Sequence, residues 1–246
     1  MLENPDKYKW ETPIAHLVEK DPDFTTLGDA SLDAGGGYSM DLKFWWQIHW
    51  PEEVQKRTLL KIKNNKSENL ITINVLEYAV VLISFAASTV AVNERLQKPS
   101  DSTLALQHSY PIVLNKVDNT SAESWTTKAC KSSVTGKALA EIFCTLMINN
   151  PLGVSSDRIG TKDNVIADDI TRKYRDANNI FNPSLLMQDH PELQCCHHFH
   201  PSRELLLRVN DALLCKKLPS PLLQITMLGH FKPANSTSLN TVGLST

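Results

Sequence analysis

The sequence predicts an α/β fold, and three observations predict it. Phe24, Leu27 and Ala30 are apolar around Asp29 with small residues after them, and Tyr38 to Met40 and then the aromatic-rich Phe44 to Trp50 follow within a few residues. Residues of these types favour a half-buried pleated surface, so the three stretches read as successive antiparallel strands. Two long apolar segments with helical spacing come next, Ile71 to Val92 and Ser133 to Asn149. Tyr110 to Val117 and a short segment ending near Arg158 read as further strands, so strands and helices alternate in the second half of the chain.

Composition sets the bounds. A chain of 246 residues that is 41% hydrophobic can bury a substantial core. The formal net charge of -2 gives no global basic field, so contact with a polyanion depends on a local patch. Five cysteines are scattered rather than framed, and the first residues, MLENPDKYKW, lack the apolar run of a signal peptide. Both features point to an intracellular, unsecreted protein, in which the sequons at Asn65, Asn119 and Asn235 go unused. Residues 1-24, polar and punctuated by Pro5, Pro13 and Pro22, read as a lead-in segment.

Gly35-Gly36-Gly37 frees the backbone for a tight turn or a close approach beside the first strand. After the third strand, Pro51-Glu52-Glu53 opens a short helical turn, and Lys56, Arg57, Lys61, Lys63 and Lys66 form the densest basic stretch. It has two readings, a solvated loop or strand edge and a patch that tracks backbone phosphates.

In the next segment Leu76, Val80, Ile83 and Ala87 recur at helical spacing. Its apolar run, Val75 to Val92, approaches membrane-spanning length. Glu77, Ser84, Ser88 and Thr89 argue instead for a helix buried in protein, and no membrane contact is expected. A buried Glu77 requires a cation or hydrogen-bond donors; alternatively it faces solvent in the first turn, where the helix dipole favours it.

Asp118 ends the strand Tyr110 to Val117, the position where ligand groups gather in open α/β sheets. The competing reading is a cap, with Asp118, Asn119, Thr120 or Ser121 accepting from the first turn of a helix over Ser121 to Lys128. Leu139, Ile142, Phe143, Leu146 and Met147 make the core stripe of the second long helix. Asp163 or Asn164 then caps a late helix carrying Asp168-Asp169, and helical spacing leaves open which aspartate faces the sheet. Asp29, Glu77, Asp118 and this pair put carboxylates on four separate elements, as a two-metal phosphodiester-cleaving site requires.

LGDAS, NVLEYA, VDNTSA and GTKDNVIADDITR, in this order, resemble the ribonuclease H domain of retrotransposon polymerases of the LTR or tyrosine-recombinase type. The last segment is the most specific, with Gly160, Asn164, Ala167, Asp168, Thr171 and Arg172 similar to the family pattern. The resemblance covers residues 25-176 and selects Asp168 over Asp169. It implies a five-stranded mixed sheet, three antiparallel strands then two parallel ones, flanked by helices. It also implies an enzyme that binds two magnesium or manganese ions and cleaves the RNA strand of an RNA-DNA hybrid. On that basis Asp29 bridges the ions, Glu77 and Asp118 hold the one on the leaving-group side, and Asp168 holds the one that activates water. Asn119 and Ser121 would contact the minor groove, where 2′-hydroxyls mark RNA, and Lys61 and Lys63 the phosphates. Arg158-Ile159 stands where many relatives of that family carry a histidine, so histidine-assisted product release is not implied. With no polymerase-type segment ahead of the domain in this sequence, the expected partner is a reverse transcriptase polymerase domain acting in trans.

Residues 177-246 read as a partly helical extension with a disordered tail rich in Ser, Thr and Asn. Ser202 to Lys217 forms its amphipathic helix, capped by Ser202. Cys195-Cys196-His197-His198 with His200 invites a zinc reading, but adjacent ligands lack the spacing of a structural site. Two other functions fit the same residues, a catalytically silent hybrid-binding or assembly module and a DDE-type transposase or integrase core. The second is disfavoured by an aspartate as the final acidic residue and by Glu77 on the first long helix.

Overall fold

The computed structural model describes residues 21–62, 71–96, 111–127, 133–150, 152–175, 180–216 and 228–232. The first three strand-like stretches become β1 (Phe24–Ala30), β2 (Ala34–Ser39) and β3 (Phe44–His49), joined antiparallel in that order. β4 (Ile112–Val117) runs parallel beside β1, and β5 (Gly153–Arg158) parallel beside β4. The lead-in segment up to residue 20, Lys63 and Lys66 of the basic stretch, and the tail from residue 233 lie outside the described residues.

Among the described residues the sheet has seven strands, not the five expected. The extra two come from the C-terminal region: β6 (His197–Pro201) runs parallel to β3, and β7 (Gly229–Lys232) antiparallel to β6. The order is β5-β4-β1-β2-β3-β6-β7. Physically, β3 alone would expose a row of unpaired backbone groups, and β6 takes up that edge.

The basic stretch is also corrected. It is neither a loop nor a strand edge over its described part but a helix, α1 (Glu52–Ile62), with two acidic residues in its first turn and Lys61 in its last. Glu52 pairs with Lys56 and Glu53 with Arg57, each at 2.6 Å and one turn apart. That i,i+4 pattern and the dipole favour a helix over a repelling charge run.

Helix α2 (Ile73–Leu96) carries the long apolar run, and every residue from Val75 to Val92 is buried. By length and composition Ile73–Arg95 would suffice to cross a membrane, yet its apolar stretch is buried inside the fold. Its outer sides meet α3 (Thr120–Thr127) and α4 (Val134–Asn149), and its inner side meets β1, β2 and β4. The hydroxyls that argued for burial are satisfied locally: Ser88 donates to the Ser84 carbonyl and Thr89 to that of Phe85, both at 2.9 Å. Ser84 accepts from the Trp46 indole at 3.3 Å.

The opposite face of β1 and β2 is covered by α5 (Val165–Arg172), which with α6 (Pro183–Asp189) closes a second core around Trp45, Ile170, Leu186 and Leu193. Helix α7 (Arg203–Leu213) packs on α4, with Leu205, Val209 and Leu213 buried and Ser202 accepting from Leu205 N at 3.0 Å. Ser133 caps α4 in the same way through Gly136 N.

The triple glycine lies within β2 and serves close approach rather than a turn. A Cβ on Gly28 would stand 2.5 Å from Val80 of α2, one on Gly35 2.6 Å from Trp50, and one on Gly36 would collide with Ile170 of α5. The missing side chains let both helices sit close on the sheet, which brings their carboxylates to its end. Gly36→Ala is therefore expected to destabilise the protein by about 1–3 kcal/mol through overpacking. Urea unfolding checks this, and an unchanged midpoint would contradict it.

Candidate metal centre

Asp29 is the penultimate residue of β1 and is 2% exposed. The parallel register of β1 and β4 pairs Leu27 with Lys116, and two residues further on it sets Asp118 level with Asp29. Glu77 enters from α2 on the other face and reaches the same end of the sheet, where its Oε1 accepts from the Ala30 N–H at 3.1 Å. One oxygen from each of Asp29, Glu77 and Asp118 lies within 4.8 Å of the others. Glu77 is 3% exposed, and its Oε2 is buried with no hydrogen-bond partner among the described residues. The solvent-facing alternative for Glu77 is thus excluded, and the competing cap reading for Asp118 falls to Asn119. The Asn119 side-chain oxygen accepts from Ser121 N at 2.9 Å and Ala122 N at 3.3 Å.

The electrostatics follow from this crowding. Burial, reinforced by Asp29 and Asp118, pushes Glu77 well above the usual carboxylate range. Burial also raises Asp29, against the opposing pull of the Thr171 hydrogen bond and the Arg172 charge. Three clustered carboxylates, two of them buried and one carrying an orphaned oxygen, are an unstable arrangement without a cation. An all-oxygen donor set suits a hard divalent ion such as magnesium or manganese. The residues present therefore fit such an ion.

No protein-family model, curated protein or solved structure matches the chain.

Asp168 lies in the first turn of α5 and outside the 4.8 Å group. Its carboxylate is held by the Arg172 guanidinium one turn later, and Arg172 Nη2 stands 3.9 Å from Asp29 Oδ2. Asp169 points elsewhere. It is 5% exposed and engaged by Lys173 at 2.6 Å, His190 at 3.0 Å and the Tyr174 hydroxyl at 3.2 Å. Burial alone would raise Asp169, but these donors outweigh it and hold the carboxyl below its ordinary range.

Two residues of the late motif turn out to position α5. Thr171 donates to Asp29 Oδ2 at 2.6 Å. Asn164, at the cap position, makes no side-chain cap and instead donates to the Gly28 carbonyl at 3.0 Å, tying the start of α5 to β1 one residue before Asp29. Asn74, which sequence reasoning did not single out, accepts from Asn119 at 2.9 Å and donates to the Ser121 hydroxyl at 3.0 Å. Thr161 donates to Asp118 Oδ2 at 3.3 Å. Lys61 is exposed near the end of α1. Among the described residues, Cys195 to His200 forms no metal-competent group. His198 stacks on Trp45 with centroids 3.9 Å apart, and burial drives its pKa down to about 3, leaving a neutral ring in an aromatic stack.

Proposed function

We propose that the chain is a metal-dependent endonuclease of the ribonuclease H type that hydrolyses the RNA strand of RNA-DNA hybrids. The observation that carries this reading is the meeting of Asp29, Glu77 and Asp118 from three separate parts of the chain, with Glu77 Oε2 left without a partner among the described residues. The first five strands of the chain, in the order β5-β4-β1-β2-β3, agree with the three antiparallel and two parallel strands of that fold.

Asp29 would bridge two magnesium or manganese ions, Glu77 and Asp118 would hold one, and Asp168 the other. Bound there, such ions lower the pKa of water and stabilise the charge that develops on the leaving 3′-oxygen. The chain supplies orientation. Thr171 fixes Asp29, the Ala30 N–H fixes Glu77, and Thr161 fixes Asp118, so the carboxylates are pre-aligned before substrate arrives. Ser121 and Asn119, joined through Asn74, set a polar edge next to Asp118 where a 2′-hydroxyl would be read. Lys61 would meet a phosphate, an intracellular hybrid would be the substrate, and a reverse transcriptase polymerase domain would be the fitting partner.

A second reading, a catalytically silent hybrid-binding or assembly module, draws on the commitment of Asp168 to Arg172. Cleavage of a labelled RNA-DNA hybrid in magnesium or manganese, with an RNA-RNA duplex and an Asp118→Asn chain as controls, separates the two. Hybrid-specific cutting that Asp118→Asn lacks supports the nuclease. Binding without cutting in either metal sinks it.

A further inference from the structure

We propose that Arg172 is a built-in cation that competes with a divalent ion for the Asp29 and Asp168 carboxylates, so that the centre fills in two unequal steps. This rests on the metal-centre reading above and concerns how that site is loaded.

The two halves of the centre differ in what an incoming ion meets. On the Glu77 side, the buried Oε2 has no partner among the described residues, so an ion there displaces none of them from that oxygen. On the Asp168 side, the Arg172 Nε donates to Oδ1, and the same guanidinium stands 3.9 Å from Asp29 Oδ2. An ion shared by Asp29 and Asp168 would have to displace this positive charge or sit against it. Helix geometry makes the contact automatic, because positions 168 and 172 lie one turn apart on the same face.

Exposure makes the contact breakable. The Arg172 side chain is 54% exposed and that of Asp168 35%, whereas Asp29 is nearly buried. An ion pair so open to solvent is worth a factor of only about two to five in equilibrium terms. Arg172 therefore weakens the second ion without excluding it. The resting chain is a one-ion protein at low divalent concentration and a two-ion protein at high concentration. The guanidinium keeps its charge at all working pH values, so this competition is not itself a pH switch.

The test is manganese binding to the full chain without nucleic acid, followed by calorimetry and by the resonance signal of free manganese. Wild type is expected to bind one ion more tightly than the other. Arg172→Gln is expected to tighten the weaker step by about fivefold or more, since the competing ion pair and the repelling charge are both removed. Arg172→Lys keeps the charge and should bind as wild type does. Asp168→Asn in the Arg172→Gln background should lose the weaker step and keep the tighter one. If Arg172→Gln leaves the weaker step unchanged or loosens it, the competition is overturned while the metal centre stands. Two equal steps in wild type would overturn it too. If no chain binds manganese, the metal-centre reading falls and takes this proposal with it.

Discussion

An Asp29→Asn chain is expected to keep its fold and lose hybrid cleavage by roughly a thousandfold or more. Metal ions supply several kcal/mol of transition-state charge stabilisation, and about 1.4 kcal/mol is worth tenfold in rate, which sets that scale. Asp29 is the residue most exposed to the loss because it touches both halves of the site. It shares the 4.8 Å group with Glu77 and Asp118 and faces Arg172 and Asp168 on the other side. The fold should survive, since the amide oxygen of Asn can still accept from the Thr171 hydroxyl. Burial already disfavours the charge at this position, so removing it costs the metal-free protein little. Gel cleavage run beside urea unfolding separates the two effects. Activity within a few-fold of wild type, in a folded variant, would rule out the centre as the catalytic site.

The parts of this arrangement legible in the sequence are those set by local periodicity. Val80, Ile83 and Ala87 announce α2, Leu139, Ile142 and Phe143 announce α4, and the aromatic run at Phe44 announces β3, because burial on one face repeats with the period of the element. Parts set by distant pairing were not legible. β6 is a five-residue histidine-rich strand whose partner, β3, ends some 150 residues earlier in the chain, and nothing in HHFHP by itself calls for a sheet edge. α1 was hidden by composition: its lysines and glutamates read as a charge run until the i,i+4 pairing is noticed. Helical spacing leaves Asp168 and Asp169 undecided and the resemblance alone selects Asp168, whereas the structure adds that His190 reaches Asp169 from beyond the helix. Spacing within α5 carries no trace of that contact.

Glu77→Gln is expected to stabilise the metal-free protein at neutral pH and to abolish the tighter ion, two effects that a purely structural glutamate would not combine. Gln keeps an oxygen for the Ala30 N–H and replaces the orphaned Oε2 with a donor that can face Asp29 and Asp118. Relieving a buried unsatisfied group is worth about 1–3 kcal/mol. The pH dependence has a definite sign. Because the folded-state pKa of Glu77 is raised, its contribution to stability is fully present below the unfolded value near 4.5 and is lost as pH rises through the folded value. Asp29 is raised and acts in the same direction, whereas Asp169 is lowered and costs stability only when acid takes it below its ordinary range. Glu77 and Asp29 therefore lower the stability of the metal-free wild type as pH rises from about 5 to about 8. His49, His198 and His200, whose pKa values burial lowers, raise it over the same range. A bound divalent ion should offset the carboxylate loss by favouring the ionised forms. Glu77→Gln should therefore gain more stability than wild type between the two pH values in chelator and lose most of the gain from added metal. Urea unfolding at both pH values, with chelator and with magnesium, measures all four quantities. A variant less stable than wild type at the higher pH in chelator, or one still stabilised fully by magnesium, would show that Glu77 is held by something other than a missing cation.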